Sequence, residues 1–130
     1  MQNLAFTVWK SGTQTKTSES PRNSNPQPNE KWRGVRLFLK VTATAGTTPT
    51  LDVKLQEYNH EADTWIDITG AAFAQQTGAA ELDLVVYPAV TVVANRAVST
   101  VMPRTWRAVA TLGADADETA TYSLSGNYIL

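Results

Sequence analysis

Residues 33–56 read RGVRLFLKVTATAGTTPTLDVKLQ, and their period decides the fold. Val35, Leu37, Leu39 and Val41 alternate with Arg36, Phe38, Lys40 and Thr42. A period of two sends successive side chains to opposite faces, so this is a half-buried strand with a partly wet outer face. AGTTPT (45–50) combines a glycine, a proline and hydroxyl residues, the chemistry of a turn. Leu51, Val53 and Leu55 then alternate with Asp52, Lys54 and Gln56, which makes a second strand.

The same period extends in both directions. Downstream, Trp65-Ile66-Asp67-Ile68-Thr69 is a short strand, and Leu82, Leu84 and Val86 continue the pattern up to Pro88. Residues 105–112 and 120–124 are strands, with 127–130 extending the last. Upstream, Leu4, Phe6 and Val8 alternate with Ala5, Thr7 and Trp9. GAAFAQQTGAA (70–80) has two glycines and is short, which predicts a loop. The sum is about seven or eight short strands and no amphipathic helix, which predicts an all-β, antiparallel β-sandwich of jelly-roll or immunoglobulin-like type.

One segment breaks the period. KSGTQTKTSESPRNSNPQPNE (10–30) has no apolar side chain except Pro21, Pro26 and Pro28. Such a composition cannot bury enough surface to offset its conformational entropy, so it predicts an extended polar arm or a linker. The expected organisation is therefore an N-terminal strand and arm over 1–31 and a sandwich domain over 32–130. The connection PAVTVVANRAVSTVMP (88–103) breaks the rule the other way, being too apolar for an exposed loop. Val90, Val92, Val93, Val98, Val101 and Met102 need cover, either as a further strand or lid over one end of the sandwich, or in a subunit contact.

Composition narrows the chemistry. The 130 residues carry a net charge of −1 and no cysteine. The chain lacks the basic excess of a nucleic-acid binder, and thiolate metal sites and cysteine nucleophiles are ruled out. No run approaches the roughly 20 apolar residues of a membrane span, and MQNLAFTVWK has no signal-peptide pattern, so cytoplasmic synthesis is expected.

The one histidine lies in EYNHEADTWID (57–67) among acidic residues. A zinc site needs three or four ligands and His60 is the single strong nitrogen donor. The EF-hand spacing is absent too, so the stretch reads as a hairpin tip. No serine stands in a nucleophile elbow, and without His60 no catalytic centre remains, so no enzyme, metal or cofactor is expected. In ADADE (114–118), Asp115 and Asp117 read as a solvated loop before a cation site. Trp65 and Trp106 fall inside apolar patterns and are expected in the core, whereas Trp9 and Trp32 flank the polar arm and are expected as exposed anchors. Arg36, Phe38 and Lys40 share one strand face, a basic patch with an acidic surface as its functional partner.

RGVRLFLKVTATAGTTPTLDVKLQ (33–56), VVYPAVT (85–91), MPRTWRAVATL (102–112) and NYIL (127–130), in that order, resemble small β-sandwich virion proteins of tailed bacteriophages, some of which decorate capsids. The resemblance implies a capsid decoration (cement) protein on the virion surface, with the major capsid protein as partner. By the same analogy it implies a homo-oligomer, with a trimer suited to threefold positions, while charge and hydropathy lead to the expectation of neither nucleic acid nor membrane as ligand. The expected capsid or subunit contacts are Leu4, Phe6, Val8 and Trp9 with the arm, then Trp32, Arg33, Arg36 and Lys40, then Val90, Val92, Val93, Val98, Val101 and Met102. The alternatives are a carbohydrate-binding or host-adhesion module and a tail or head–tail joining protein.

Overall fold

The computed structural model describes residues 3–130, which are all-β, with no helix among them. The strands are β1 (Asn3–Thr15), β2 (Arg22–Asn23), β3 (Gln27–Pro28), β4 (Gly34–Ala45), β5 (Leu51–Asn59), β6 (Thr64–Ala72), β7 (Ala80–Val86), β8 (Ala97–Val98), β9 (Thr105–Leu112) and β10 (Thr119–Ile129). They form two sheets, one ordered β1-β10-β4-β7-β8 and the other β2-β9-β5-β6, with β3 also on β9. All pairings are antiparallel except β7–β8. The two-residue strands β2, β3 and β8 are too short to show any alternation in the sequence.

The alternation seen in 33–56 builds the interior. Val35, Leu37, Leu39 and Val41 of β4 are buried, as are Leu51, Val53 and Leu55 of β5. They meet Trp106, Ala108, Ala110 and Leu112 of β9 and Tyr122, Leu124 and Tyr128 of β10 in one cluster that draws on both sheets. Gly34 is required where β4 begins, because a Cβ there would lie 2.3 Å from the Val86 carbonyl oxygen.

β1 pairs with β10 from Asn3↔Ile129 to Thr15↔Thr119. The ladder shifts between Thr7 and Trp9, and this β-bulge reverses the alternation read in the sequence. Phe6 opposes Gly126, Trp9 opposes Leu124, and Val8 packs at the margin of the core. Trp9, expected as an exposed anchor, is only 5% exposed and stands edge-on to Tyr122 at 5.6 Å. The Arg22 guanidinium covers the same pair, 4.9 Å from the Trp9 ring and 5.8 Å from that of Tyr122.

The polar segment 10–30 crosses from one sheet to the other and lies along the edge of β9. Two short ladders hold it, Arg22↔Ala110 with Asn23↔Val109, and Gln27↔Trp106 with Pro28↔Thr105. Hydroxyls complete the edge. Ser20 Oγ accepts the Leu112 N–H at 3.1 Å and Ser24 Oγ accepts that of Ala108 at 2.9 Å. Gln14, buried, donates to the carbonyls of Glu19 (2.7 Å) and Ala110 (3.1 Å) and accepts the Tyr122 hydroxyl at 2.6 Å. Composition changes at residue 31, but the ladders cross that point.

The loops divide as their chemistry requires. In 88–103, Val98 joins β8 and is buried with Met102, Val90 is half-buried, and Val92, Val93 and Val101 remain exposed. Gly70–Ala72, expected in a loop, belong to β6, and Gly70 takes φ +79°. EYNHEADTWID is a hairpin: Asn59 Oδ1 accepts the N–H groups of Glu61 (3.1 Å) and Ala62 (3.2 Å), and Asp63 turns the chain at φ 55°. In the acidic loop, Asp117 accepts the Thr47 hydroxyl at 2.9 Å, and Asp115 accepts that of Thr48. Glu118 is 1% exposed and accepts the N–H groups of Thr50 (2.9 Å), Gly113 (3.1 Å) and Asp115 (2.7 Å).

Glu118→Ala is expected to cost about 2–3 kcal/mol in urea unfolding, because three inward backbone donors lose a charged acceptor. His60→Ala, at the exposed hairpin tip, should change stability by no more than about 0.5 kcal/mol. A chain lacking residues 1–31 is expected to lose cooperative unfolding, since β10 and β9 would each present a bare edge; circular dichroism melts check this.

Candidate functional site

Three chain segments meet where β4 begins and β10 ends. Tyr128 is the pillar of this end. Its hydroxyl accepts the Trp106 indole N–H at 2.9 Å and donates to the Pro28 carbonyl at 3.0 Å, so it ties β10, β9 and β3 together. Phe6 stacks on its ring at 4.4 Å and Trp32 at 6.2 Å. Burial pushes the Tyr128 hydroxyl pKa up, which keeps it neutral and able to donate.

Asn29 fixes the approach to β4. Its buried amide donates to the carbonyls of Trp32 (2.8 Å), Met102 (3.2 Å) and Pro103 (3.3 Å), and its oxygen accepts the Trp32 N–H at 2.9 Å. The Met102 N–H reaches the Arg33 carbonyl at 2.8 Å, the Arg33 N–H that of Ile129 at 3.0 Å. The Tyr87 hydroxyl donates to the Leu130 carbonyl at 3.1 Å. The segments that carry the resemblance, 85–91, 102–112 and 127–130, thus converge with the start of 33–56.

What this scaffold presents outward is apolar and basic. Leu4 is 51% exposed, Val101 58% and Leu130 45%. Beside them lie Lys31, over the Trp32 ring at 5.0 Å, Arg33, over the Tyr87 ring at 5.7 Å, and exposed Arg104. None of these three cations has a carboxylate within ion-pair distance among the described residues. Glu30 is the neighbouring acid in sequence.

The expected contact residues separate into groups. Leu4, Trp32, Arg33 and Val101 belong to this end, with Phe6 and Met102 beneath it. Arg36 and Lys40 do share the outer face of β4, but their charges are engaged: Arg36 meets Asp83 at 2.9 Å and Lys40 meets Glu81 at 3.6 Å. Val92, Val93 and Val98 line a separate groove against β6. Trp9 and Val8 lie along β1, away from both.

The aromatic platform expected of a sugar site is not assembled by the tryptophans. Trp106 is fully buried. Trp65, expected in the core, is half-buried on the outer face of its sheet beside Tyr58, with the Arg107 guanidinium 4.4 Å over its ring. Arg107 is held by Gln56 at 2.9 Å, so that ring face is occupied. Among the described residues no group of three or more His, Asp or Glu side chains is placed to hold a metal ion.

Sequence reasoning missed Asn29, Tyr128 and Arg104. Asn29 sits in a run of similar polar residues, and Tyr128 and Arg104 carry no signal of their own. Comparisons with known protein families, with characterised proteins and with solved structures found no match.

Asp83 provides a pH test of the outer face. Burial opposes its ionisation, but Arg96 (3.1 Å) and Arg36 (2.9 Å) outweigh this and hold its carboxyl below the usual range. A depressed folded-state pKa contributes stability that is complete above about pH 4 and is lost as pH falls through the lowered value. Because both arginines are largely exposed, Asp83→Asn should cost only about 1 kcal/mol at pH 7, and the difference from wild type should vanish toward about pH 2 in urea titrations.

Proposed function

We propose that this protein is a structural component of a tailed-phage virion, a capsid decoration protein that binds the outer shell of the head and stabilises it. In this reading the two sheets form an antiparallel β-sandwich of jelly-roll or immunoglobulin-like type. The major capsid protein is the partner, and the chain acts without cofactor or catalysis. The observation that carries the proposal is the basic and apolar end, where the four segments resembling virion proteins come together.

That end has the properties of a docking face. Exposed Leu4, Val101 and Leu130 offer apolar area, and Lys31, Arg33 and Arg104 offer cations that no carboxylate among the described residues pairs. Apolar contact holds a complex while unpaired charge steers its formation and chooses an acidic surface. Repetition over a symmetric shell turns modest affinity per copy into large total stabilisation, and a homotrimer at threefold positions would use the same face three times.

Mixing the purified protein with capsids that lack it and imaging the particles tests this reading. Density on the outer shell is the expected outcome; density at the tail or neck would assign it to a tail or head–tail joining role. Val101→Asp and the double variant Arg33→Glu/Arg104→Glu should each lower occupancy by about tenfold or more, corresponding to about 1.4 kcal/mol. Undiminished decoration by folded variants would remove this face from the mechanism.

A further inference from the structure

β1 is the last strand of its sheet. From Asn3↔Ile129 to Thr7↔Ser125 it pairs with β10 without interruption, and the ladder shifts only beyond Thr7. Among the described residues, no backbone group of Leu4 to Thr7 is bonded to a segment on the other side. The remaining sheet edges are short, covered or charged. β8 has two residues, and Ala97 exchanges backbone bonds with Val93. β2 and β3 also have two residues each, and β3 contains Pro28. The regular part of β6, Thr64–Asp67, carries a carboxylate. Charge and proline are what usually keep an edge strand from pairing, and Asn3–Thr7 has neither.

The side chains of this edge divide by face. Leu4 and Phe6 oppose Tyr128 and Gly126 and lie on the face toward the second sheet. There Phe6 stacks on Tyr128 at 4.4 Å and stands edge-on to Trp106 of β9 at 6.0 Å. Leu4, next along that face, is 51% exposed. Ala5 and Thr7 oppose Asn127 and Ser125 on the outer face and are exposed.

We propose that this edge pairs with the same edge of a second copy of the chain, antiparallel about a twofold axis, so that two molecules join through one continuous sheet. An open row of strand N–H and C=O groups is matched by another extended backbone. Centred on Ala5, the pairing uses the whole regular run Asn3–Thr7. Ala5 then opposes its own counterpart, and Leu4 opposes the Phe6 of the second copy. Residues opposite each other in an antiparallel pair share a face, so exposed Leu4 is covered by a ring that Tyr128 already holds in place. Charge favours a second copy as the occupant. The run carries no charge with which to repel itself, and Lys10 lies beyond the shifted ladder. Each copy has one such edge and the pairing consumes it, so association closes at two. The β-bulge after Thr7 confines the contact to a short run, which makes the dimer weak. The inference stands on the β1 edge and does not depend on the virion reading; it uses Leu4 and leaves Val101, Leu130, Lys31, Arg33 and Arg104 outside the contact.

The test is sedimentation equilibrium of the full chain. A monomer–dimer equilibrium is expected, with a dissociation constant on the order of 10–100 µM. Ala5→Lys and Ala5→Glu each set two like charges directly opposite one another at the centre of the pairing, and each should weaken the dimer about fivefold. An equimolar mixture of the two variants should regain the wild-type affinity, because the charges then oppose with opposite sign. A defect in folding would not be rescued by mixing, so this readout separates the contact from stability. Leu4→Asp, at an exposed position, should weaken the dimer about tenfold. Amide exchange within residues 4–7 should slow as the protein concentration rises through the dissociation constant. A chain that stays monomeric up to about 1 mM, one that sediments as a trimer, or a dimer indifferent to both Ala5 variants overturns the inference. So does a mixture of the two variants that associates no better than either alone.

Discussion

The edge of β9 is the constraint on which the rest of this structure depends. β9 supplies Trp106, Ala108, Ala110 and Leu112 to the core, so it cannot be left with a bare outer row of backbone groups. The chain meets this need with its most polar segment. Two short ladders cover part of the edge, and the hydroxyls of Ser20 and Ser24 take the Leu112 and Ala108 donors. A polar sequence with three prolines suits this task, because each contact is one hydrogen bond and the backbone bends between them. Gln14 and Asn29 anchor the two ends of the crossing from buried positions.

That crossing connects the fold to the candidate docking end. Asn29 delivers the chain to Trp32 and β4 while holding Met102 and Pro103, and the Pro28 carbonyl receives the Tyr128 hydroxyl. The positions of Trp32, Arg33, Val101 and Arg104 are therefore set by the polar segment as much as by the sheets. The cations project from a framework held by backbone bonds from Met102 to Arg33 and from Arg33 to Ile129, which limits the freedom of the chain that carries them. On another side of the body the loop 92–100 meets β6 through the Asn95 amide, which donates to the Ala72 carbonyl at 3.1 Å, and among the described residues no strand pairs with the outer edge of β6.

Much of the core was legible before any coordinates. The period-two runs of 33–56 mark the buried residues of β4 and β5, because a pleated strand leaves no freedom about which side chains share a face. The hairpin at 57–67 was legible for a similar reason, since its polar residues between two strands had no other use. Trp9 was misread because one inserted residue near Thr7 shifts the ladder, and nothing local announces a bulge. Trp65 was misread because an apolar pattern at a sheet margin does not say whether its face is covered. Of the candidate docking end, Trp32, Arg33 and Val101 were legible as candidates, but their proximity was not, since it arises from pairings between distant parts of the chain.

By itself the sequence determined the all-β class, the inward residues of the long strands, and the lack of cysteine chemistry, because these follow from periodicity and composition. Tertiary structure decided which strands are neighbours, where the polar segment lies, and which exposed side chains stand together. Those outcomes depend on long-range pairing, in which the backbone of one segment satisfies that of another far away in the chain. Serine and asparagine side chains look alike in solvent and at a buried sheet edge, so only the edge itself reveals what Ser24 and Asn29 are for.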